Sequence, residues 1–144
     1  MDSVIVYIGL GSNLNQPVKQ LERAIAALEK LPNTRLEQTS RFYTSRAMTL
    51  NNDKPDNGIT PPNYINAVSQ LMTSLAPLDL LDALQSIESI QGRERSNASK
   101  WDSRTLDLDL LFYGKEVINH PRLTVPHSGI KLRDFVLLPL VEID

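Results

Sequence analysis

Two helical repeats of apolar residues, each opened by a proline, divide this chain into a fixed alternation of elements. Val18, Leu21, Ile25, Leu28 and Leu31 recur at helical spacing after Pro17 and stop at Pro32. Leu80, Leu81, Leu84, Ile87 and Ile90 recur in the same way after Pro77 and stop at Gly92. Between and around them lie β-rich runs at Val4 to Leu10, Thr34 to Tyr43, Tyr64 to Met72 and Thr105 to Tyr113. The order βαββαβ predicts an α+β, ferredoxin-like domain: an antiparallel sheet with both helices packed on one face. Val117 and Ile118 are expected to pair back on the fourth strand after a turn at Gly114, and a short helix, interrupted by Pro139, is expected near Leu132 to Val141.

A chain of 144 residues, 41% of them hydrophobic, reads as one domain, 1–144, able to bury its own core. Cysteine is absent, which excludes disulfides, thiolate metal sites and a cysteine nucleophile. The opening MDSVIVYIGLGS has no basic segment before its brief apolar run and does not read as a signal peptide. No apolar stretch approaches the ~20 residues a membrane-spanning helix needs, so a cytoplasmic protein with no membrane partner is expected. A net charge of −2 argues against general nucleic-acid binding. Two stretches lack periodicity: Thr44 to Asn63, crowded with Asn, Asp and Pro and expected to form a long mobile loop, and Arg93 to Ser103.

The fourth strand carries the sharpest chemical signal. In RTLDLDLLFYG, Leu106, Leu108 and Leu110 point to one face while Asp107 and Asp109 point to the other. The two carboxylates then sit roughly 6.6 to 6.8 Å apart at the backbone. Charges that close repel unless water screens them or a cation lies between them. Two readings follow: an amphipathic strand with a solvated acidic face, or a site for a hard metal such as Mg²⁺, which takes one or two carboxylates and fills its other positions with water and phosphate oxygens.

Other candidates divide similarly. GLGSNL fails the dinucleotide fingerprint, because Leu14 stands at the third glycine position, and reads locally as a tight strand-to-helix turn. Arg93, Arg95, Lys100 and Arg104 precede the aspartates directly, as a solvated charged loop or as guanidinium forks for phosphate. Trp101 in that loop either anchors it or stacks on a planar ligand. Arg122, Thr124, His127, Lys131 and Arg133 supply further phosphate or ribose partners, although a lone His127 also fits a turn. His120 has no spaced partner that would suggest zinc. Tyr64 and Asn66, opening the third strand, either pack against the sheet or meet a heterocycle, Tyr on its face and Asn on its edge.

Taken in order, YIGLGSNL, YINAV, Q-x-x-E-x-x-x-GRER, W-x-x-RTLDLDLLFYG, RLTVPH and R-x-F resemble the 6-hydroxymethyl-7,8-dihydropterin pyrophosphokinases of folate biosynthesis across nearly the whole chain. The resemblance implies a Mg²⁺-dependent transferase that moves the terminal diphosphate of ATP to the pterin hydroxymethyl group and releases AMP. It implies two Mg²⁺ ions on Asp107 and Asp109, and phosphate-gripping roles for Arg93 and Arg104. Gln85, Arg95, Trp101, Leu110, Arg122, Thr124, His127 and Arg133 fall on the ATP side. Tyr64 and Phe135 would sandwich the pterin, Asn66 would read its edge, and Ser45, Met48 and Glu88 complete that side, Glu88 near the junction of the two substrates. A monomer is implied, free or joined to other folate enzymes. Three departures stand out: Asp102 and Ser103 replace a Gly-Pro or Ala-Pro pair, Ser45 to Met48 replaces a Pro-containing stretch, and the chain stops at Asp144 where family members usually continue for a further short segment.

Overall fold

The computed structural model describes residues 3–12, 16–45, 64–93 and 106–127, the side chains at 45, 64, 92 and 93 excepted. Its elements run β1 (Val4–Ser12), α1 (Pro17–Glu29), β2 (Thr34–Thr39), β3 (Tyr43–Ser45), β4 (Tyr64–Thr73), α2 (Pro77–Arg93), β5 (Leu106–Tyr113), β6 (Ile118–His120) and β7 (Leu123–Val125). The main sheet is ordered β2-β4-β1-β5, with antiparallel neighbours and β3 pairing beside β2 on β4. This is the α+β, ferredoxin-like βαββαβ arrangement expected from the sequence. β1 and β2 are parallel across β4, and β4 and β5 are parallel across β1, so each helix is a crossover that skips one strand.

The core forms where the apolar stripes meet. Val6, Ile8 and Leu10 of β1, Leu71 of β4 and Leu106, Leu108 and Leu110 of β5 pack against Leu21, Ala24 and Leu28 of α1 and Leu80, Leu81, Leu84 and Ile87 of α2. The ends of both helical runs leave this stripe: Val18 and Ile90 are exposed. At the end of α2 the buried position falls instead to Gln91, whose amide donates to the carbonyl and the side-chain oxygen of Gln20 on α1 at 3.1 and 2.9 Å. A helix turns ~100° per residue, so after Ile87 the core-facing step is i+4 and Ile90 rotates outward.

Three expectations are revised. The single strand from Thr34 to Tyr43 is two strands, because Ser40 inserts its hydroxyl into the ladder: its N–H donates to the Val68 carbonyl at 2.8 Å, and its Oγ accepts from the Val68 N–H at 3.0 Å. β3 then reaches Ser45, inside the stretch expected to be loop. Val117 is exposed, and Ile118 pairs with Val125 of β7 instead of returning to β5. The hairpin closes locally because its turn is held by the Arg122 N–H donating to His120 Nδ1 at 3.0 Å. The helix expected near Leu132 to Val141 lies outside the described residues, as do 46–63 and 94–105 of the two aperiodic stretches.

Leu84 is completely buried between α2 and the sheet. Leu84→Ala should lower the free energy of unfolding by about 2–5 kcal/mol, read from urea denaturation. A loss below about 1 kcal/mol would place the main core elsewhere.

Candidate active site

The face of the sheet away from the helices is set by register. Asp107 lies opposite Gly11, and Gly11 opposite Asn66, so Asn66, Gly11 and Asp107 form one row across β4, β1 and β5. Val68, Gly9 and Asp109 form the next. Two strand spacings separate Asn66 from Asp107, roughly 9.5 Å at the backbone. The glycines contribute no side chain between them. At Gly9 a Cβ would meet the Leu111 side chain at 3.3 Å, which shows how closely that residue covers the strand. Leu111 occupies this place because the β1–β5 register shifts at Tyr7/Ile8 and leaves it unpaired. GLGS is therefore central strand and not turn, since β1 continues to Ser12.

A groove of about 200 Å³ runs along the aspartate strand, lined by Leu81 of α2, Leu108, Asp109 and Leu110 of β5, Arg122, Leu123 and Thr124 at the hairpin, and His127. Five residues predicted for the site meet here: Asp109, Leu110, Arg122, Thr124 and His127. Leu110 also belongs to the core, whereas Thr124 is exposed. The His127 N–H donates to the Leu111 carbonyl at 3.1 Å, and its Nε2 stands 3.7 Å from Asp109 Oδ1. Gln85 joins through Arg122, whose Nη2 donates to Gln85 Oε1 at 3.2 Å and to Asp82 Oδ1 at 2.6 Å.

Glu88 reaches the same strand from α2. Its Oε2 accepts the N–H of Leu108, the residue between the two aspartates, at 2.7 Å. Burial pushes this carboxyl above its ordinary value of 4.5, the Leu108 hydrogen bond opposes the rise, and the charges of Asp107 and Asp109 add to it. Asn66 is buried at the start of β4. Arg93 closes α2, and Tyr64 and Ser45 begin β4 and end β3, while Met48, Arg95, Trp101, Arg104, Arg133 and Phe135 lie outside the described residues.

The sequence reading missed Asp82, although it sits one helical turn before Gln85 and so on the same face of α2. It also missed Leu81, Leu108 and Leu123 as groove walls; their apolar character marked them only as core. Among the described residues no three His, Cys, Asp or Glu cluster as a closed metal cage. The oxygen-only pair of Asp107 and Asp109 fits Mg²⁺, which needs few protein ligands when phosphate and water supply the rest.

Fold and site together define a class: a ferredoxin-like α+β domain whose carboxylate strand borders a groove suited to a cation and a phosphorylated ligand. A model of the 7,8-dihydro-6-hydroxymethylpterin-pyrophosphokinase (HPPK) family matches residues 7–144, and the chain belongs to that family. It is 49% identical over 140 residues to the 2-amino-4-hydroxy-6-hydroxymethyldihydropteridine pyrophosphokinase of Haemophilus influenzae, covering 97% of this chain and 81% of that protein. It is 35% identical over 137 residues to the bifunctional protein FolKE of Lactococcus lactis, covering 95% of this chain and 36% of that one. A crystal structure of HPPK-DHPS in complex with substrates superimposes with a TM-score of 0.67 at 16% identity, over 99% of this chain and 40% of that chain, a likeness of fold. Among the described residues no helix is long and apolar enough to cross a membrane.

The Glu88 carboxyl yields a signed pH dependence. A carboxyl with a raised folded pKa binds its proton more tightly when folded, so the folded state loses stability as pH rises from 4.5 through the folded value. Glu88→Gln keeps an oxygen for the Leu108 N–H but cannot titrate. In metal-free protein, the melting temperature of the variant relative to wild type should climb as pH rises above 4.5. Parallel curves would mean that Glu88 titrates alike in the folded and unfolded chain.

Proposed function

We propose that this chain transfers diphosphate from ATP to the hydroxymethyl group of 6-hydroxymethyl-7,8-dihydropterin, giving AMP and the pterin diphosphate, a step of folate biosynthesis. The observation that carries this reading is the register row that sets Asn66 and Asp107 on one face with only Gly11 between them, in a chain matched by the HPPK family over residues 7–144.

The nucleotide takes the groove. Leu81, Leu110 and Leu123 offer an apolar wall, Thr124 a hydroxyl, and Arg122, Gln85 and His127 polar contacts around it. The pterin takes the Asn66 side, where a side-chain amide offers both donor and acceptor to a heterocycle edge. Tyr64 and Phe135 stack on its faces, and Ser45, Met48 and Glu88 complete this side. Arg93, Arg104, Arg95, Trp101 and Arg133 serve the triphosphate and the closure over it.

Asp107 and Asp109 would hold Mg²⁺, two ions being expected with ATP, and the metal would supply positive charge against the phosphate oxygens. The residues themselves need form no covalent intermediate. The pterin hydroxyl is a weak nucleophile, so the chain's contribution is to hold it in line, to balance charge and to exclude water. The chain acts as one domain and as a cytoplasmic monomer, on its own or fused, as the FolKE and HPPK-DHPS chains are.

Purified protein incubated with ATP, MgCl₂ and the pterin should release AMP and pterin diphosphate together, and none with EDTA. Asp107→Ala and Asp109→Ala should each lower kcat by at least about 10³-fold while melting as wild type does. Formation of ADP, or full activity in either variant, would overturn the assignment.

A further inference from the structure

Asp82 stands on the exposed side of α2 and belongs to none of the roles assigned above. Its Oδ1 accepts a hydrogen bond from Arg122 Nη2 at 2.6 Å, and Gln85 Oε1, one turn further along α2, accepts from the same nitrogen at 3.2 Å. The bond crosses from α2 to the β6–β7 hairpin, 40 residues away in sequence. The backbone of Arg122 is held as well, through its N–H to His120 Nδ1 at 3.0 Å. Both ends of a long, flexible side chain are therefore tied before any ligand arrives, at a residue that lines the groove.

We propose that Asp82 is a positioning residue for the nucleotide: with Gln85 it holds the Arg122 guanidinium against the groove wall in the orientation that meets the incoming ATP. The inference rests on the reading of Arg122 as an ATP-side residue. Two features favour positioning over sequestration. A guanidinium carries five N–H groups, and both bonds to α2 use Nη2, which leaves the three on Nε and Nη1 uncommitted to these acceptors. The acceptance by Gln85 Oε1 also fixes the sense of that amide, which leaves its NH₂ group uncommitted to Arg122. By holding the guanidinium, Asp82 lowers the rotamer entropy that binding must otherwise take from Arg122.

The pair is half-exposed, with 45% of the Arg122 and 59% of the Asp82 side chain accessible, so its effect is modest and sensitive to salt. Asp82→Ala should raise the KM for ATP, and the Kd for a non-hydrolysable ATP analogue with Mg²⁺ measured by calorimetry, by about two- to fivefold. The KM for the pterin and kcat should stay within about twofold, since the residue touches neither the pterin side nor the reacting atoms. Asp82→Asn, which keeps an oxygen acceptor without the charge, should fall between the two. The increase should shrink at high ionic strength and vanish when Arg122 is already alanine, as a double-mutant cycle requires of a role exerted through Arg122.

An unchanged analogue Kd, tighter binding, or an equal effect in the Arg122→Ala background would each overturn the proposal. A wild type that binds the analogue but makes no AMP overturns the assigned reaction and leaves Asp82 to be judged on the calorimetric cycle. A wild type that does not bind the analogue overturns both.

Discussion

The site depends on the register of β1 between β4 and β5. β1 is paired along its full length, Val4 to Ser12, with β4, and from Val6 onward with β5. A slip of one residue on either side would move every side chain to the opposite face. Asp107 and Asp109 would then enter the core, and Leu106, Leu108 and Leu110 would leave it. Burying those leucines against α2 therefore also fixes where the carboxylates stand, so the stability of the fold and the geometry of the site have one physical source.

Charge is the second constraint. Glu88 brings a third carboxylate to a strand that already carries two; its pKa is raised first by burial, with the charges of Asp107 and Asp109 adding to the rise. The Leu108 N–H offsets part of it by giving Glu88 a fixed donor on a strand that, among the described residues, is bordered by β1 alone in the main sheet. A cation at the aspartates would relieve the part that comes from charge, because it replaces repulsion among carboxylates with attraction to a common centre. On the far side of the groove Arg122 spans from the hairpin to α2, so acidic and basic groups face one space from different elements.

Much of this was legible in the primary structure. The helical repeats bounded by Pro17, Pro32, Pro77 and Gly92 and the alternation of RTLDLDLLFYG led to the element order and to the face on which the aspartates lie. The misreadings share one cause: local pattern cannot report a partner. Ser40 breaks a strand only because Val68 is beside it. Gln91 is buried only because Gln20 answers it. GLGS looks like a turn until both neighbouring strands are in place to extend it as sheet.

Periodicity and residue chemistry, which act within a few residues, settled the βαββαβ order, the apolar stripes, the oxygen-only chemistry of the aspartate pair and the motifs shared with the HPPK family. Which residues share the groove was decided only by tertiary structure. Asp82 meets Arg122, Glu88 meets Leu108 and His127 comes close to Asp109 across 40, 20 and 18 residues of chain. Those meetings follow from sheet register and helix packing, which bring together residues that no repeat in the sequence connects.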